Sequence, residues 1–540
     1  MARNIADLVE HAVDLVPERV AVACGDRQVT YAQLEERANR LAHHLADHGV
    51  GPGDHVGIQC QNSIEAVETM IAAFKLRAVS VNVNYRYVEN ELRYLYTNAD
   101  LVALVHDRRY TSRVTAVRPD APLLRHCIVL EDGSDEAVPP DHGVDYEAAL
   151  TSGSPERDFP ERSADDIYIL FTGGTTGHPK GVVWRHEDVW RALGGGIDFI
   201  TGVPVADEWA QSQAGKDFGL VRMCLAPLIH GAAQWATLPT LFGCGTAVLM
   251  PKFDPHEAWQ AIQRHKVNVV TLVGDAMARP MIEVYAEGGY DGSSLFAISS
   301  HAALFSPSVQ EQYLDAFPNI VLTDAIGSSE SGFTGIQMVT RDGAYTGGPR
   351  VKPGPDVVVI DDDGQLVPSG SGRVGRIART GPIPLGYYKD PEKTAALYVE
   401  VDGTRYVMPG DFARMETDGT VTLLGRGNTC VNTAGEKVFP EEVEGALKAH
   451  PDVFDALVIG VPDERLGQRV GAVVAPRPGA NPDLAALDAH VRGLLAGYKV
   501  PRSVWLVDEI ERLPSGKPDY RWANEHAAAH APATPTPAAP

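Results

Sequence analysis

The stretch Ile169-Leu-Phe-Thr-Gly-Gly-Thr-Thr-Gly-His-Pro-Lys-Gly181 decides how this chain is interpreted. An apolar run of β type, residues 167–171, leads directly into Thr172-Gly-Gly-Thr-Thr-Gly177. Glycines allow a tight turn that brings backbone N–H donors close to an anion, and the threonine hydroxyls and the Lys180 ammonium add donors and positive charge. An ordinary flexible loop is the alternative. Strand, loop and lysine together favour a polyphosphate-binding loop, although the Gly-Lys-[Ser/Thr] ending of a Walker A loop is absent.

Length and composition indicate a soluble protein of more than one domain. A chain of 540 residues is too long for one core, and 44% hydrophobic with 22% charged residues is ordinary for globular proteins. The net charge of −24 argues against a nucleic acid as a standing partner. The six cysteines form no Cys-x-x-Cys pair, so they predict neither a disulfide framework nor a cysteine zinc site. Neither a signal peptide nor a run of about 18 apolar residues is evident, so we expect a cytoplasmic protein without stable membrane insertion.

The periodicity of apolar residues predicts an α/β fold. Thr30-Tyr-Ala-Gln33 is typical of a capping box, with a helix following until Gly49. Short apolar runs predict strands, and they alternate with helical patterns such as residues 63–76. We therefore expect a large domain, residues 1–427, of mostly parallel sheets covered by helices, with a β-rich subdomain around residues 359–386. A small mobile α+β domain would follow at 428–526, and the Ala- and Pro-rich residues 527–540 would form a disordered tail.

Further motifs follow the glycine-rich loop in a fixed order. They are Leu225-Ala-Pro-Leu-Ile-His230, Asp324-Ala-Ile-Gly-Ser-Ser-Glu330, Met408-Pro-Gly-Asp411, Gly425-Arg426 with Gly435-Glu-Lys-Val-Phe-Pro-Glu-Glu-Val-Glu444, and Leu513-Pro-Ser-Gly-Lys517. With the loop they resemble the adenylate-forming superfamily over nearly the whole chain. That superfamily includes acyl-CoA synthetases, luciferases and peptide-synthetase adenylation domains.

The resemblance implies a two-step reaction. A carboxylate attacks the α-phosphorus of ATP to give an acyl-adenylate and pyrophosphate, and a thiol then attacks the activated carbonyl. It implies ATP, Mg²⁺ and CoA, with a small-molecule carboxylic acid, fatty or bulky, as substrate and a homodimer as the candidate assembly. The residues it implies for binding these groups are Thr172, Gly173, Gly174, Thr175, Thr176, Gly177, Lys180, Ala302, Asp324, Ile326, Ser329, Asp411, Arg426, Gly435, Lys437 and Lys517.

Individual roles also follow from the resemblance. Glu330, with Thr175, would hold Mg²⁺, and Lys517 would bridge the carboxylate and the α-phosphate. His230 would border the carboxylate pocket or simply pack at a helix end. Asp411 and Arg426 would bind the ribose. Gly435 would line the pantetheine tunnel, and Lys437 would contact CoA phosphates or only solvent.

The chain departs from the family pattern at three places. Ile326 replaces the aromatic residue that stacks on adenine, Ser300-His301-Ala302-Ala303 replaces Gly-Gly-Ala-Pro, and Asn428 stands at the hinge. Because none of these changes removes a catalytic charge, we expect adenylation to survive. Together with Val183-Trp184-Arg185, the motifs at 326–330 and 435–437 resemble an actinobacterial branch that activates fatty and bulky acids such as steroid side-chain acids.

An AMP-forming acid–CoA ligase is therefore the leading hypothesis. The alternative with the same first step passes the acyl group to an amine, a carrier-protein thiol or an inorganic nucleophile. A catalytically silent nucleotide-binding protein and a luciferase-like oxygenase are the other candidates. Retention of Lys180, Glu330, Asp411 and Lys517 argues against a silent protein.

Overall fold

The capping box at Thr30 begins a helix as predicted: its side chain accepts from the backbone of Gln33, and the Gln33 side chain accepts from Thr30 in return. The computed structural model describes residues 4–172, 178–198, 201–301, 303, 305–341, 350–426, 429–433, 436–463, 467–513 and 516–533. Within these ranges, no helix has both the length and the apolar character needed to cross a bilayer.

The α-helices are, in chain order, α1 Ile5–Leu15, α2 Tyr31–Asp47, α3 Ile64–Lys75, α4 Glu89–Asn98, α5 Thr111–Val117, α6 Tyr146–Ser152, α7 His186–Leu193, α8 Ala210–Gly215, α9 Gly231–Phe242, α10 Pro255–His265, α11 Gly274–Ala286, α12 Pro307–Ala316, α13 Pro391–Leu397, α14 Pro440–Lys448, α15 Leu484–Leu494 and α16 Tyr520–Ala529. Short 3₁₀ turns cover Arg108–Tyr110, Arg118–Asp120 and Gly497–Lys499.

The strands of the large domain are β1 Val20–Cys24, β2 Arg27–Thr30, β3 His55–Gln59, β4 Val79–Asn82, β5 Leu101–Asp107, β6 His126–Leu130, β7 Val144–Asp145, β8 Ile167–Thr172, β9 Lys180–Arg185, β10 Val221–Cys224, β11 Thr246–Leu249, β12 Val269–Leu272, β13 Ala297–His301, β14 Val321–Ser328, β15 Gly332–Val339, β16 Arg350–Pro353, β17 Val357–Ile360, β18 Val374–Arg379, β19 Gly386–Tyr387, β20 Tyr398–Val401, β21 Thr404–Val407, β22 Asp411–Met415 and β23 Val421–Arg426. Those of the small domain are β24 Val431–Thr433, β25 Glu436–Val438, β26 Val453–Asp463, β27 Gly467–Pro476 and β28 Ser503–Leu506.

One long sheet forms the centre of the large domain. Its strand order is β2-β1-β11-β10-β12-β13-β14-β15-β16-β23-β22-β18-β21-β20, with β17 beside β18. The strands from β1 to β14 in this order run parallel, and from β14 onward each pairing is antiparallel. The antiparallel part, which includes β17 and β18, is the predicted β-rich subdomain.

Two further sheets complete the large domain. β4-β3-β5-β6-β7 is parallel throughout, and β19-β9-β8 is an antiparallel three-stranded sheet. The small domain is a separate α+β unit whose sheet, β25-β24-β27-β26 with β28 beside β27, has its own apolar core. The predicted fold class is confirmed. The boundary between residues 427 and 428 lies outside the described residues and stays a prediction.

The tail is more ordered than predicted. Helix α16 continues to Ala529, Trp505 Nε1 donates to the carbonyl of His530 at 2.9 Å, and the Ala533 amide donates to the Val504 carbonyl at 2.7 Å. The prediction of disorder from Ala527 onward was therefore wrong for residues 527–533, because β28 and Trp505 supply hydrogen-bond partners. Residues 534–540 lie outside the described ranges.

Candidate active site

The predicted phosphate loop connects β8 to β9, and Thr172 lies opposite Lys180 in this hairpin. Residues Gly173, Gly174, Thr175, Thr176 and Gly177 lie outside the described ranges. Buried Asn82 holds the hairpin in place: its side chain exchanges two hydrogen bonds of 2.8 Å with the backbone of Phe171. The same amide donates to the carbonyl of Ile229 at 2.6 Å. Asn82 therefore ties the entrance of the loop to the segment that carries His230.

Lys180 and Glu330 meet at one aromatic side chain, Tyr387. The Lys180 ammonium lies 5.2 Å from the centre of the Tyr387 ring, and the Tyr387 hydroxyl donates to Oε1 of Glu330 at 3.1 Å. Strand β19 brings Tyr387 there, because it pairs with β9 directly beyond Lys180. A cation from the loop and the predicted metal-binding carboxylate are thus brought together by a residue that the sequence analysis did not identify.

Two buried side chains fix the turn that carries Glu330. Trp184 Nε1 donates to the carbonyl of Ser329 at 3.0 Å, and Arg379 donates to the carbonyl of Ser331 at 2.9 Å while its Nε donates to Asp356. The backbone on both sides of Glu330 is therefore anchored. Ser329 takes part through its carbonyl group.

Ile326 and Asp324 lie on β14, in the middle of the large sheet. Ile326 is partly buried against the apolar core of the β-rich subdomain, and its carbonyl accepts from Thr334. Asp324 is paired with Ser300 of β13. Burial, and after it the nearby Asp275 carboxylate, raises the pKa of Asp324 to about 7.

His230 lies at the N-cap position of α9, but its side chain makes no capping hydrogen bond. Its Nε2 is buried and has no hydrogen-bond partner among the described residues. Burial, followed by the positive charges of Lys517 and Arg86, lowers the pKa of His230 to about 3. The ring is therefore neutral near pH 7. The charge of Lys517 therefore acts on His230, although the two residues belong to different domains.

The turn that carries Lys517 is supported from both sides. Gly516 has φ of +79°, which glycine adopts readily, and the position of a Cβ there would lie 3.4 Å from Val273 of the large domain. Arg512 donates to the carbonyl of Gly516 at 3.2 Å and forms a bidentate pair with buried Asp455. The turn is thus fixed to the small domain while it contacts the large one.

Helix α11 of the large domain faces the small domain with residues spaced four apart. The Arg279 guanidinium lies 5.3 Å from the centre of the Phe454 ring, and Glu283 forms an ion pair with Arg477 at 3.6 Å. Residues at i and i+4 share one face of a helix. This face of α11 therefore contacts the small domain through a cation–π pair and an ion pair.

The remaining predicted residues divide into two groups. Asp411 and Arg426 are direct partners across β22 and β23, so the two predicted ribose contacts lie side by side on the backbone. Lys437 is paired with Asn432 in the β24–β25 hairpin. Arg426 and Lys437 are described by their backbone alone, and Ala302 and Gly435 lie outside the described residues.

The sequence analysis missed Asn82, Tyr387, Arg379 and Arg512, and it used Trp184 only as a mark of resemblance. Tyr387 had a local signal, since Gly386-Tyr-Tyr388 is an aromatic pair directly after a glycine. The other three are single polar residues whose partners are distant in sequence, so no local pattern pointed to them.

Comparisons with known proteins show the family of the chain. The profile of the AMP-binding enzymes matches residues 9–388, and that of the AMP-binding enzyme C-terminal domain matches residues 442–517. The chain belongs to the AMP-binding enzymes. It is 60% identical over 532 residues to a 3-oxocholest-4-en-26-oate–CoA ligase of Rhodococcus rhodochrous, covering 97% of this chain and 96% of that protein.

A second relative is named for two kinds of acid. The chain is 58% identical over 527 residues to a medium/long-chain-fatty-acid–CoA/3-oxocholest-4-en-26-oate–CoA ligase of Mycobacterium tuberculosis, covering 97% and 96% of the two chains. The crystal structure of the anthranilate–CoA ligase AuaEII with anthranoyl-AMP has the same fold, with a TM-score of 0.84, 22% identity and 98% coverage of both chains. The protein is an AMP-forming acid–CoA ligase, and the predicted family and reaction are confirmed.

Proposed function

We propose that this AMP-binding enzyme activates the side-chain carboxyl of a 3-oxo steroid acid with ATP and transfers the acyl group to CoA. The observation that carries the proposal is the identity of 60% along almost the whole chain to the R. rhodochrous ligase whose name states that substrate. A long-chain fatty acid is the second candidate, because the M. tuberculosis relative is named for both kinds of acid.

The residues that contact each other in the structure suggest how the first step proceeds. Lys517 would bridge the attacking carboxylate and the α-phosphate, where negative charge concentrates in the transition state. Neutral His230 would border the carboxylate, with its unpartnered Nε2 available as a hydrogen-bonding group. Lys180 and the threonines of the loop, with Thr172 at its start, would bind the departing phosphates.

A hard divalent cation such as Mg²⁺ fits the residues present. Glu330 offers a carboxylate, and Tyr387 fixes one of its oxygens. Glu330 would hold the cation together with Thr175. Once bound, the cation would neutralise phosphate charge.

The other predicted contacts remain part of the proposal. Asp411 and Arg426 would bind the ribose, while Asp324, Ile326, Ser329 and Ala302 would surround the nucleotide. Gly435 and Lys437 of the small domain would contact CoA. A cytoplasmic location is consistent with the use of ATP and CoA.

The proposal is tested by comparing two acids with tag-free purified protein. Acyl-CoA formation is followed by mass spectrometry with 3-oxocholest-4-en-26-oate and with hexadecanoate, each with and without CoA. We expect the steroid acid to give the larger kcat/KM and a matching thioester. Turnover of hexadecanoate alone would assign the enzyme to fatty acids instead.

A further inference from the structure

One face of the central sheet is only partly covered near β13. On β13 the residues alternate: Ile298 and Ser300 are buried, whereas Ser299 and His301 are partly accessible although β13 has neighbours on both sides. Strand β14 is partly accessible at Thr323, directly beside Ser299. Because alternate residues of a strand point to opposite faces, the partly covered face is that of Ser299 and His301.

Arg222 of β10 belongs to the same face. It is paired with Val269 of β12, which is paired with Ala297 of β13, and Ala297 shares a face with Ser299 and His301. Arg222 is level with Ala297, which precedes His301 by four residues on β13. At a rise of about 3.3 Å per residue, the Cα of Arg222 is therefore displaced from His301 by about 13 Å along the strand direction. His301 is the last residue of β13, and His230 follows β10 at the start of α9, so both lie beyond or at the carboxyl ends of parallel strands. Arg222 is the second residue of β10 and therefore lies towards the amino end of this face.

The guanidinium of Arg222 has one buried donor, Nε, without a hydrogen-bond partner among the described residues. Burial lowers the pKa of Arg222, and no carboxylate of the described chain is among the groups that influence it. Leaving a buried cation unpaired is costly, which points to a partner that arrives with a ligand.

Two polar side chains lie on the same face as Arg222. Ser299 Oγ and His301 Nε2 lie 2.9 Å apart, and burial followed by the charge of Arg222 lowers the pKa of His301 to about 4. The histidine is therefore neutral near pH 7, so it does not compete with Arg222 as a cation. Arginine has five N–H donors and no acceptor, so the group that it binds must supply an oxygen that accepts.

We propose that Arg222, on the same face of the sheet as Ser299 and His301, forms a polar subsite towards the amino end of the strands that binds a ketone oxygen at the end of the substrate remote from its carboxylate. The inference rests on the proposed function, since a 3-oxo steroid acid carries a ketone and a carboxylate at opposite ends. A fatty-acid tail brings no acceptor and leaves the guanidinium unpaired. Arg222 would thus determine the preference for an oxygenated acid.

The test compares three acids with wild-type enzyme and Arg222→Met. The acids are 3-oxocholest-4-en-26-oate, its analogue with the ring ketone replaced by a methylene group, and hexadecanoate. We expect wild type to prefer the ketone by about 10- to 100-fold in kcat/KM, the range for a substrate group that pairs a buried donor. Arg222→Met should abolish this preference while it retains turnover of hexadecanoate.

Two further variants keep the test decisive. Arg222→Lys retains a donor and should preserve part of the preference, and Arg264→Met, a change at an exposed arginine paired with Asp26, should leave it unchanged. If folded Arg222→Met kept the preference for the ketone, the inference would be wrong while the proposed function would stand. Failure of wild type to activate either steroid acid while it activates hexadecanoate would overturn both the inference and the proposed substrate.

Discussion

The hydroxyl of Tyr387 donates a hydrogen bond to Oε1 of Glu330 while its ring faces the Lys180 ammonium. The phosphate loop, the predicted metal-binding carboxylate and strand β19 are therefore joined through one side chain. Movement of any of the three alters the position of the other two. The relationship gives the first prediction.

Tyr387→Phe should weaken the use of Mg²⁺ more than the binding of the acid. The ring stays beside Lys180, but Glu330 loses the hydrogen bond that orients it. We expect kcat for adenylation to fall about tenfold, since a hydrogen bond to a charged group is worth about 1.5–3 kcal/mol. At a fixed ATP concentration, the Mg²⁺ concentration that gives half-maximal activity should rise.

Tyr388→Phe is the matched control for that variant. The Tyr388 hydroxyl donates to Asp100, away from Glu330, so its loss should leave the Mg²⁺ titration unchanged. Equal Mg²⁺ titrations for Tyr387→Phe and wild type would refute the orienting role of Tyr387.

Lys517→Ala should separate the two half-reactions. Removing a cation that acts on transition-state charge should slow adenylation by about 10²- to 10³-fold. Thioester formation from supplied acyl-adenylate and CoA should be nearly unaffected. Lys499→Ala, at a lysine paired with Glu442 in the same domain, serves as the control. An equal loss in both half-reactions would show that Lys517 has a structural role.

A charge exchange tests the contact between the domains. Glu283→Arg or Arg477→Glu should slow adenylation by about twofold to fivefold, because partly exposed ion pairs contribute up to about 1 kcal/mol. The double variant restores opposite charges and should recover the rate. Single-turnover formation of acyl-adenylate is the measurement. Additive losses in the double variant would mean that the ion pair does not stabilise this arrangement.

Asp324 gives a prediction about stability and pH. Its pKa of about 7 lies above the value of about 3.9 in an unfolded chain. The folded protein therefore binds a proton that the unfolded chain has lost, and this contribution to stability is full below about pH 4 and is lost as the pH rises through about 7. Asp324→Asn stays neutral at every pH. The Tm of this variant minus the Tm of wild type should therefore increase by several degrees between pH 5 and pH 8.

Exposed Asp315 provides the comparison for that experiment, since Asp315→Asn should run parallel to wild type at every pH. Scanning calorimetry without ATP isolates the effect on folding. A constant difference in Tm between Asp324→Asn and wild type would contradict the raised pKa.

Local patterns in the sequence predicted local structure well. Apolar periodicity and caps located β8, α2 and α3, because those signals lie within a few residues of each other. The contact of Tyr387 with Glu330 depends on how β19 pairs with β9, and the hydrogen bond from Trp184 to Ser329 spans 145 residues. Register between distant strands is set by the whole sheet, so neither contact could be predicted from a motif.

The most direct test of the account is the fate of the substrate's carboxylate oxygen. The acid carries a heavy oxygen isotope in its carboxylate and is converted with ATP, Mg²⁺ and CoA. The masses of the products are then measured by mass spectrometry. Attack on the α-phosphorus predicts one labelled oxygen in AMP for each acyl-CoA formed. Unlabelled AMP, or label in pyrophosphate or inorganic phosphate, would contradict an acyl-adenylate intermediate.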